Sequence, residues 1–189
     1  KPYEIELVVR ESVHGPVISD HLDVKGANNR ALALRWAALN REDRSMNAFT
    51  NVLRAQNWTA FREAMSFLET PASNLVYADI YGNIGYQTTG VVPVRVAGHD
   101  GRAPVSGDGS FDWLGYAPFS ALPSVLNPES GFVVSANNRV SPPSHDASIL
   151  LNEADWDPGY RARRIGEMLR QRRRLSADDM KTMQMDRAS

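Results

Sequence analysis

The sequence predicts an α+β fold, with an antiparallel sheet and helices segregated from it. Three observations carry this expectation. Leu75–Tyr81 and Ile84–Thr89 are strand-like runs on either side of Gly82-Asn83, and Gly and Asn supply the positive φ that a tight hairpin turn needs. Trp58, Phe61, Met65 and Leu68 recur at helical spacing behind Asn57, a good N-cap. A second helical region follows Asp157-Pro158, with Arg161, Ile165, Met168 and Leu169 on one stripe.

The remaining elements are read in order. Ile5–Arg10 is rich in β-branched residues and predicts a strand over 5–10. Val13–Ile18 follows with Gly15-Pro16 inside it, and because proline cannot donate to a ladder, that position is an edge or a bulge. Ala31–Trp36 is an apolar run that periodicity leaves open between strand and buried helix. Met46, Phe49, Val52 and Leu53 share one helical face, and the next helix is expected over 58–68, closed by Pro71. Residues 93–130 are rich in Gly and Pro. An irregular segment of that length inside a domain is usually functional or laid over a larger body. Phe132–Ala136 predicts a short strand, and a helix is expected over 159–173. Ser176-Ala177-Asp178-Asp179 resembles a capping box with Asp in place of Glu, and Leu175 and Met180 are placed to staple that helix start.

Composition limits the function classes. The 189 residues suffice for one domain with a sizeable core. A net charge of −1 gives no reason to expect nucleic acid or an anionic membrane as partner. The absence of cysteine removes disulfides, thiolate metal sites and a cysteine nucleophile. No apolar run approaches the roughly 20 residues of a membrane span. The sequence opens on Lys1-Pro2-Tyr3 and closes on Asp186-Arg187-Ala188-Ser189 within a helical pattern, so an internal piece of a longer polypeptide is expected, folding as one domain over 1–189.

Chemistry-bearing patterns are few. No Gly-x-Ser-x-Gly elbow occurs. Asp20-His21, His99-Asp100 and His145-Asp146 set carboxylates beside imidazoles, but neighbours on a strand point to opposite faces, so adjacency is poor evidence for a dyad. No His-x-x-x-His or similar metal spacing is present. Seven arginines lie between Arg161 and Arg174, as expected for a solvated helix face. Arg161 differs, because it falls in register with the apolar stripe and so must be paired or face a ligand. Asn137-Asn138 directly follows the expected strand. It reads either as a plain turn or as a strand-end amide held ready as a hydrogen-bond donor.

Several blocks together resemble the penicillin amidase (penicillin acylase) family of N-terminal-nucleophile hydrolases. They are Ser12–Val17, Tyr77–Tyr86 with Thr89-Gly90, Gly98–Gly101, Pro104-Val105, Phe111–Gly115, Ala136–Arg139 and Asp155–Ile165. Each block is weak alone, and it is their order and spacing that are specific. The resemblance implies a precursor that cuts itself, with a new N-terminal Ser of the β chain as nucleophile and its own α-amine as base. It also implies a four-layer α-β-β-α sandwich, of which this chain is the middle of the β chain.

Two site residues follow from the resemblance. Asn137 matches the oxyanion donor, with Asn138 the alternative if the register shifts by one, and Arg161 matches the arginine that orients that region. The serine and the second oxyanion donor would lie upstream, so the chain alone is expected to be inactive. No cofactor is expected in the chain. Some members bind a structural calcium, part of whose site would fall near Gly101 and Asp146. The expected partners are a small-molecule amide and the rest of the precursor, both its α chain and the remainder of its β chain. That amide would be linear, such as a β-lactam side chain or an acyl-homoserine lactone, and a periplasmic or extracellular setting is suggested. The alternative is a non-catalytic β-rich binding module. Tyr77–Ile84 also resembles the Asp-x-x-Gly-Asn hairpin of a β-propeller blade, but a propeller would repeat it roughly every 40 to 50 residues, and it occurs once.

Overall fold

The computed structural model of the chain describes residues 3–22, 30–40, 42–140, 156–171 and 174–187. Strands β1 (Glu11–Ser12) and β2 (Gly15–Pro16) form a two-stranded hairpin around Val13-His14. The strand expected over 5–10 does not form. Ile5, Leu7, Val8 and Val9 are exposed, and no strand among the described residues pairs with them. An extended segment without a ladder partner leaves its backbone groups to water, so β-branched composition alone cannot make it a strand. The run 31–36 resolves to neither option. It contributes only an isolated antiparallel bridge, Ala33 to Val17, and a short 3-10 turn follows at Ala37–Leu39.

Helices α1 (Ser45–Val52) and α2 (Trp58–Met65) pack together through Ala48, Ala64, Met65 and Leu68. Asn57 caps α2 as expected, its side chain accepting from the Ala60 amide at 2.9 Å. The helix stops at Met65, short of the expected 68. In α1 the buried face is also not the expected one. Ser45 and Ala48 are buried, whereas Met46, Phe49 and Leu53 are 71%, 53% and 86% exposed. Ser45 is drawn inward by hydrogen bonds. Its hydroxyl donates to Asp43 at 2.6 Å and accepts from the amides of Glu69 and Thr70 at 3.0 and 2.9 Å. These contacts set the rotation of the helix against its most hydrophobic stripe.

The central sheet has the order β3-β4-β7, all antiparallel, from β3 (Ser73–Ala78), β4 (Ile84–Thr89) and β7 (Ser124–Leu126). Ala78 pairs with Ile84, so the β3–β4 connection is the five residues 79–83 rather than two. One face of the sheet receives α2. Trp58, Phe61 and Tyr77 form a three-ring cluster with centroids 5.1 to 5.7 Å apart. Gly85 makes this possible, since a Cβ there would lie 2.7 Å from the Trp58 ring. Behind the rings Gln87 and Thr89 are fully buried, and the Gln87 amide is satisfied by Arg62 Nε at 2.7 Å and the Thr88 carbonyl at 2.7 Å.

Residues 93–130 are less irregular than expected. Strands β5 (Pro93–Val94) and β6 (Gly115–Tyr116) pair, and β7 closes the sheet. Val92, Ala117 and Leu122 form a second small core under Trp156. The strand expected over 132–136 is not one. The segment bends at Phe132 and Ala136 and joins no ladder among the described residues, and next to it Asn138 makes a bridge to Asp157.

Helix α3 (Tyr160–Arg170) begins two residues later than its cap pattern suggests. Gly159, left-handed at φ 89°, is the N-cap, and Asp157 and Pro158 precede it. Helix α4 (Ala177–Gln184) carries the predicted capping box. Ser176 Oγ accepts from the Asp179 amide, and the Asp179 side chain accepts from the Ser176 amide at 2.8 Å. The architecture is mixed α and β with antiparallel pairing, and among the described residues no blade-like sheet repeats.

Candidate functional site

The site begins with a turn. After residues 132–136, Asn137 turns the chain in the left-handed region at φ 59°. Asparagine tolerates this conformation better than most residues. Asn138 then folds back, its side-chain oxygen accepting from the Ala136 amide at 3.1 Å and its amide donating to the Arg139 carbonyl at 3.0 Å. Both ends of the Asn138 side chain are therefore engaged within the turn itself, the amide through one of its two hydrogens.

Asn137 is arranged differently. Its backbone carbonyl accepts from the Asp157 amide at 2.8 Å. Its side-chain oxygen accepts from Arg161 Nη2 at 2.9 Å, and the same nitrogen donates to Asp157 Oδ2 at 3.2 Å. A guanidinium has donors only, so it can meet only the carbonyl end of the amide. The NH2 end of Asn137 is thereby turned away, and among the described residues no acceptor meets it. The two residues read from the sequence, 24 positions apart, are in direct contact.

Arg161 stands at the start of α3 and is not buried. Its side chain is 55% exposed, so the expectation of an arginine on an inward-packing face is corrected. Arg161 and the stripe it heads, Ile165, Met168 and Leu169, line a groove of about 630 Å³ together with Val76, Ile84 and Met183. Its neighbours behave as solvated helix residues. Arg164 pairs with Asp186 at 2.7 Å and Arg163 with Glu167 at 3.8 Å.

Asp157 is the residue the sequence reading did not place in the site. Its Oδ1 accepts from the Gly159 amide at 3.0 Å while Oδ2 meets Arg161. The Gly159 amide first, and then Arg161, hold the carboxyl below its ordinary range against the opposing effect of burial. A signal was available, because Asp157 and Arg161 have the (i, i+4) spacing of a helical ion pair.

The histidines take partners that adjacency did not indicate. His14 Nε2 meets Asp112 Oδ1 at 2.8 Å, 98 residues away, and Arg35 donates to the same oxygen at 3.1 Å while lying over Trp113. Asp20 is engaged by Arg10 rather than by His21, and His99 packs edge-on against Phe111. His145 and Asp146 lie outside the described residues. Among the described residues no three His, Asp or Glu side chains gather as metal ligands. No helix of the described residues is long and apolar enough to cross a membrane.

The chain is 35% identical over 172 residues to penicillin G acylase of Escherichia coli, a match covering 90% of this chain and 19% of that protein. It is 35% identical over 162 residues to an acyl-homoserine lactone acylase, QuiP, of Pseudomonas fluorescens, covering 85% of this chain and 19% of that one. Its fold matches the solved structure of a thermostable penicillin G acylase from Alcaligenes faecalis with a TM-score of 0.78 and 30% identity, over 96% of this chain and 31% of that chain. The chain thus spans about a fifth of the length of these curated relatives. The family model of penicillin amidase matches residues 1–189, and the chain therefore belongs to the penicillin amidase family.

Proposed function

We propose that these residues supply an oxyanion donor to an amide hydrolase whose nucleophile lies elsewhere in a longer polypeptide. The observation that carries this reading is the contact of Arg161 with the carbonyl end of Asn137 at 2.9 Å, which leaves the amide N–H aimed outward. Attack of a hydroxyl on an amide carbonyl forms a C–O bond and moves an electron pair onto the carbonyl oxygen. The proton of the attacking hydroxyl passes to a base and then to the departing amine. Asn137 Nδ2 stabilises the charge on that oxygen without reorganising, because its orientation is already set by Arg161. One such donor lowers the barrier by about 3 to 4 kcal/mol.

By resemblance to the family, the nucleophile is an N-terminal serine with its own α-amine as base. The substrate class is an acylated amine. The names of the relatives, penicillin G acylase and acyl-homoserine lactone acylase, support a β-lactam side chain or an acyl-homoserine lactone as candidates.

The test is Asn137→Ala against Asn138→Ala in the full-length polypeptide. Asn137→Ala is expected to lower kcat about a hundred- to a thousandfold with little change in KM. The loss should fall on acylation, the step that builds the tetrahedral oxyanion. Near-normal kcat in Asn137→Ala would return the pair to the status of a plain turn. Impairment of Asn138→Ala alone would move the donor one residue along.

A further inference from the structure

Resting on that reading, we propose that Asp157 is a positioning residue of the reaction, a single side chain and amide that set the placement of both Asn137 and Arg161. Three of its groups are committed. Its N–H holds the Asn137 carbonyl at 2.8 Å, its Oδ2 holds Arg161 Nη2 at 3.2 Å, and its Oδ1 is anchored by the Gly159 amide at 3.0 Å at the start of α3.

These bonds close a ring. Arg161 Nη2 has two hydrogens, and one goes to Asp157 Oδ2 and the other to Asn137 Oδ1. Asp157 thereby decides where the arginine's second hydrogen points, and that hydrogen decides which way the Asn137 amide faces. The arrangement needs such help. Asn137 and Arg161 are exposed, with Arg161 at 55%, and long exposed side chains otherwise sample many rotamers. The Asn137 backbone also sits in a left-handed conformation that its neighbours must hold. The Asp157 backbone, bridged to Asn138 and donating to Asn137, supplies that restraint from the far side of the turn.

An exposed ion pair of this kind contributes little to stability. Its removal should therefore leave the fold intact and act on the reaction through the alignment of the donor. Displacement of a catalytic group by about 1 Å can cost up to a hundredfold in rate.

The experiment is a double-mutant cycle in the full-length polypeptide, reading kcat, KM and the thermal unfolding midpoint. Asp157→Asn keeps the shape and one acceptor but removes the charge that fixes Arg161, and Asp157→Ala removes both acceptors. Both are expected to lower kcat, Asp157→Ala by roughly ten- to a hundredfold, with KM and the unfolding midpoint unchanged. In an Asn137→Ala background, neither should lower kcat further, because the group they align is gone. Equal losses with and without Asn137 would show that Asp157 acts independently and would overturn the inference. So would normal kcat in both Asp157 variants while Asn137→Ala is impaired. Normal kcat in Asn137→Ala itself would instead remove the underlying reading, a separate result in the same data.

Discussion

Two turns in this chain are built from the same materials and end up with different capacities. The hairpin turn at 79–83 is held by Asp79, whose carboxylate accepts from the Tyr81 and Asn83 amides, the Asn83 side chain and the Tyr77 hydroxyl, at 2.8 to 2.9 Å. Asn127, in the left-handed region at φ 50°, completes it. Its oxygen accepts from the Ile84 amide at 3.0 Å and its amide donates to Asn83 at 2.9 Å. The turn at 137–138 also has a left-handed asparagine and an aspartate. Here the asparagine uses only its carbonyl end, on Arg161. The difference lies in satisfaction. When the side-chain amides of a turn bond within the chain at both their oxygen and their nitrogen, the turn is a staple. When a donor is oriented but left unmet, it is available to a ligand.

Exchanging each asparagine for glycine sharpens the contrast, because glycine keeps the left-handed backbone and removes only the amide. In the full-length polypeptide, Asn137→Gly is expected to lower kcat about a hundred- to a thousandfold, with an unchanged unfolding midpoint. Asn127→Gly should do the reverse, costing about 0.5 to 1.5 kcal/mol in chemical denaturation through the lost bonds to the Ile84 amide and Asn83 oxygen, with kcat unaltered. If both lose stability alike and neither loses activity, the two turns are the same kind of object.

A smaller effect is expected at Arg161. On an inward-packing apolar stripe, removal of an arginine would cost both stability and activity. With the side chain 55% exposed and its pairing to Asp157 open to solvent, Arg161→Ala should change unfolding free energy by less than about 1 kcal/mol. Its effect on kcat should remain, since the Asn137 amide loses its orienting partner. A large fall in denaturation midpoint would show that the residue supports the core after all.

The smallest effect concerns acid. Asp79 is held below its ordinary range, chiefly by the Asn83 side chain. The folded form therefore binds a proton less readily than the unfolded one. The stability this contributes is complete above the ordinary carboxylate value of about 4 and is lost as pH falls through the lower folded value. Asp79→Asn should flatten the decline in unfolding midpoint below about pH 4 and leave the neutral range nearly parallel. An unchanged acid slope would mean that other carboxylates carry it.

Much of this was legible in order. The α2 cap at Asn57, the capping box at Ser176 and the strands around Gly82-Asn83 are local devices, each decided by residues within a few positions of one another, so sequence spacing reveals them. The Asn137 and Arg161 candidates came from the family resemblance. Only at Arg161 did the stripe offer an independent hint, and that hint misjudged its burial. The expected strands over 5–10 and 132–136 failed because a strand is defined by a partner, and composition cannot say whether one is present. The exposed face of α1 failed because Ser45, a small polar residue, commands three hydrogen bonds that outweigh the pull of Met46 and Phe49.

By itself the sequence determined the class of fold, the caps of α2 and α4, the family and the two residues that meet in the structure. Those properties depend on spacing along the chain, which folding does not change. Tertiary structure alone decided that His14 pairs with Asp112 rather than a neighbouring carboxylate, that Asn138 is spent within its own turn, and that Asp157 joins Asn137 to Arg161. Each of these is a choice among several chemically competent partners. Hydrogen bonds act over about 3 Å, so only the folded path of the chain can make that choice.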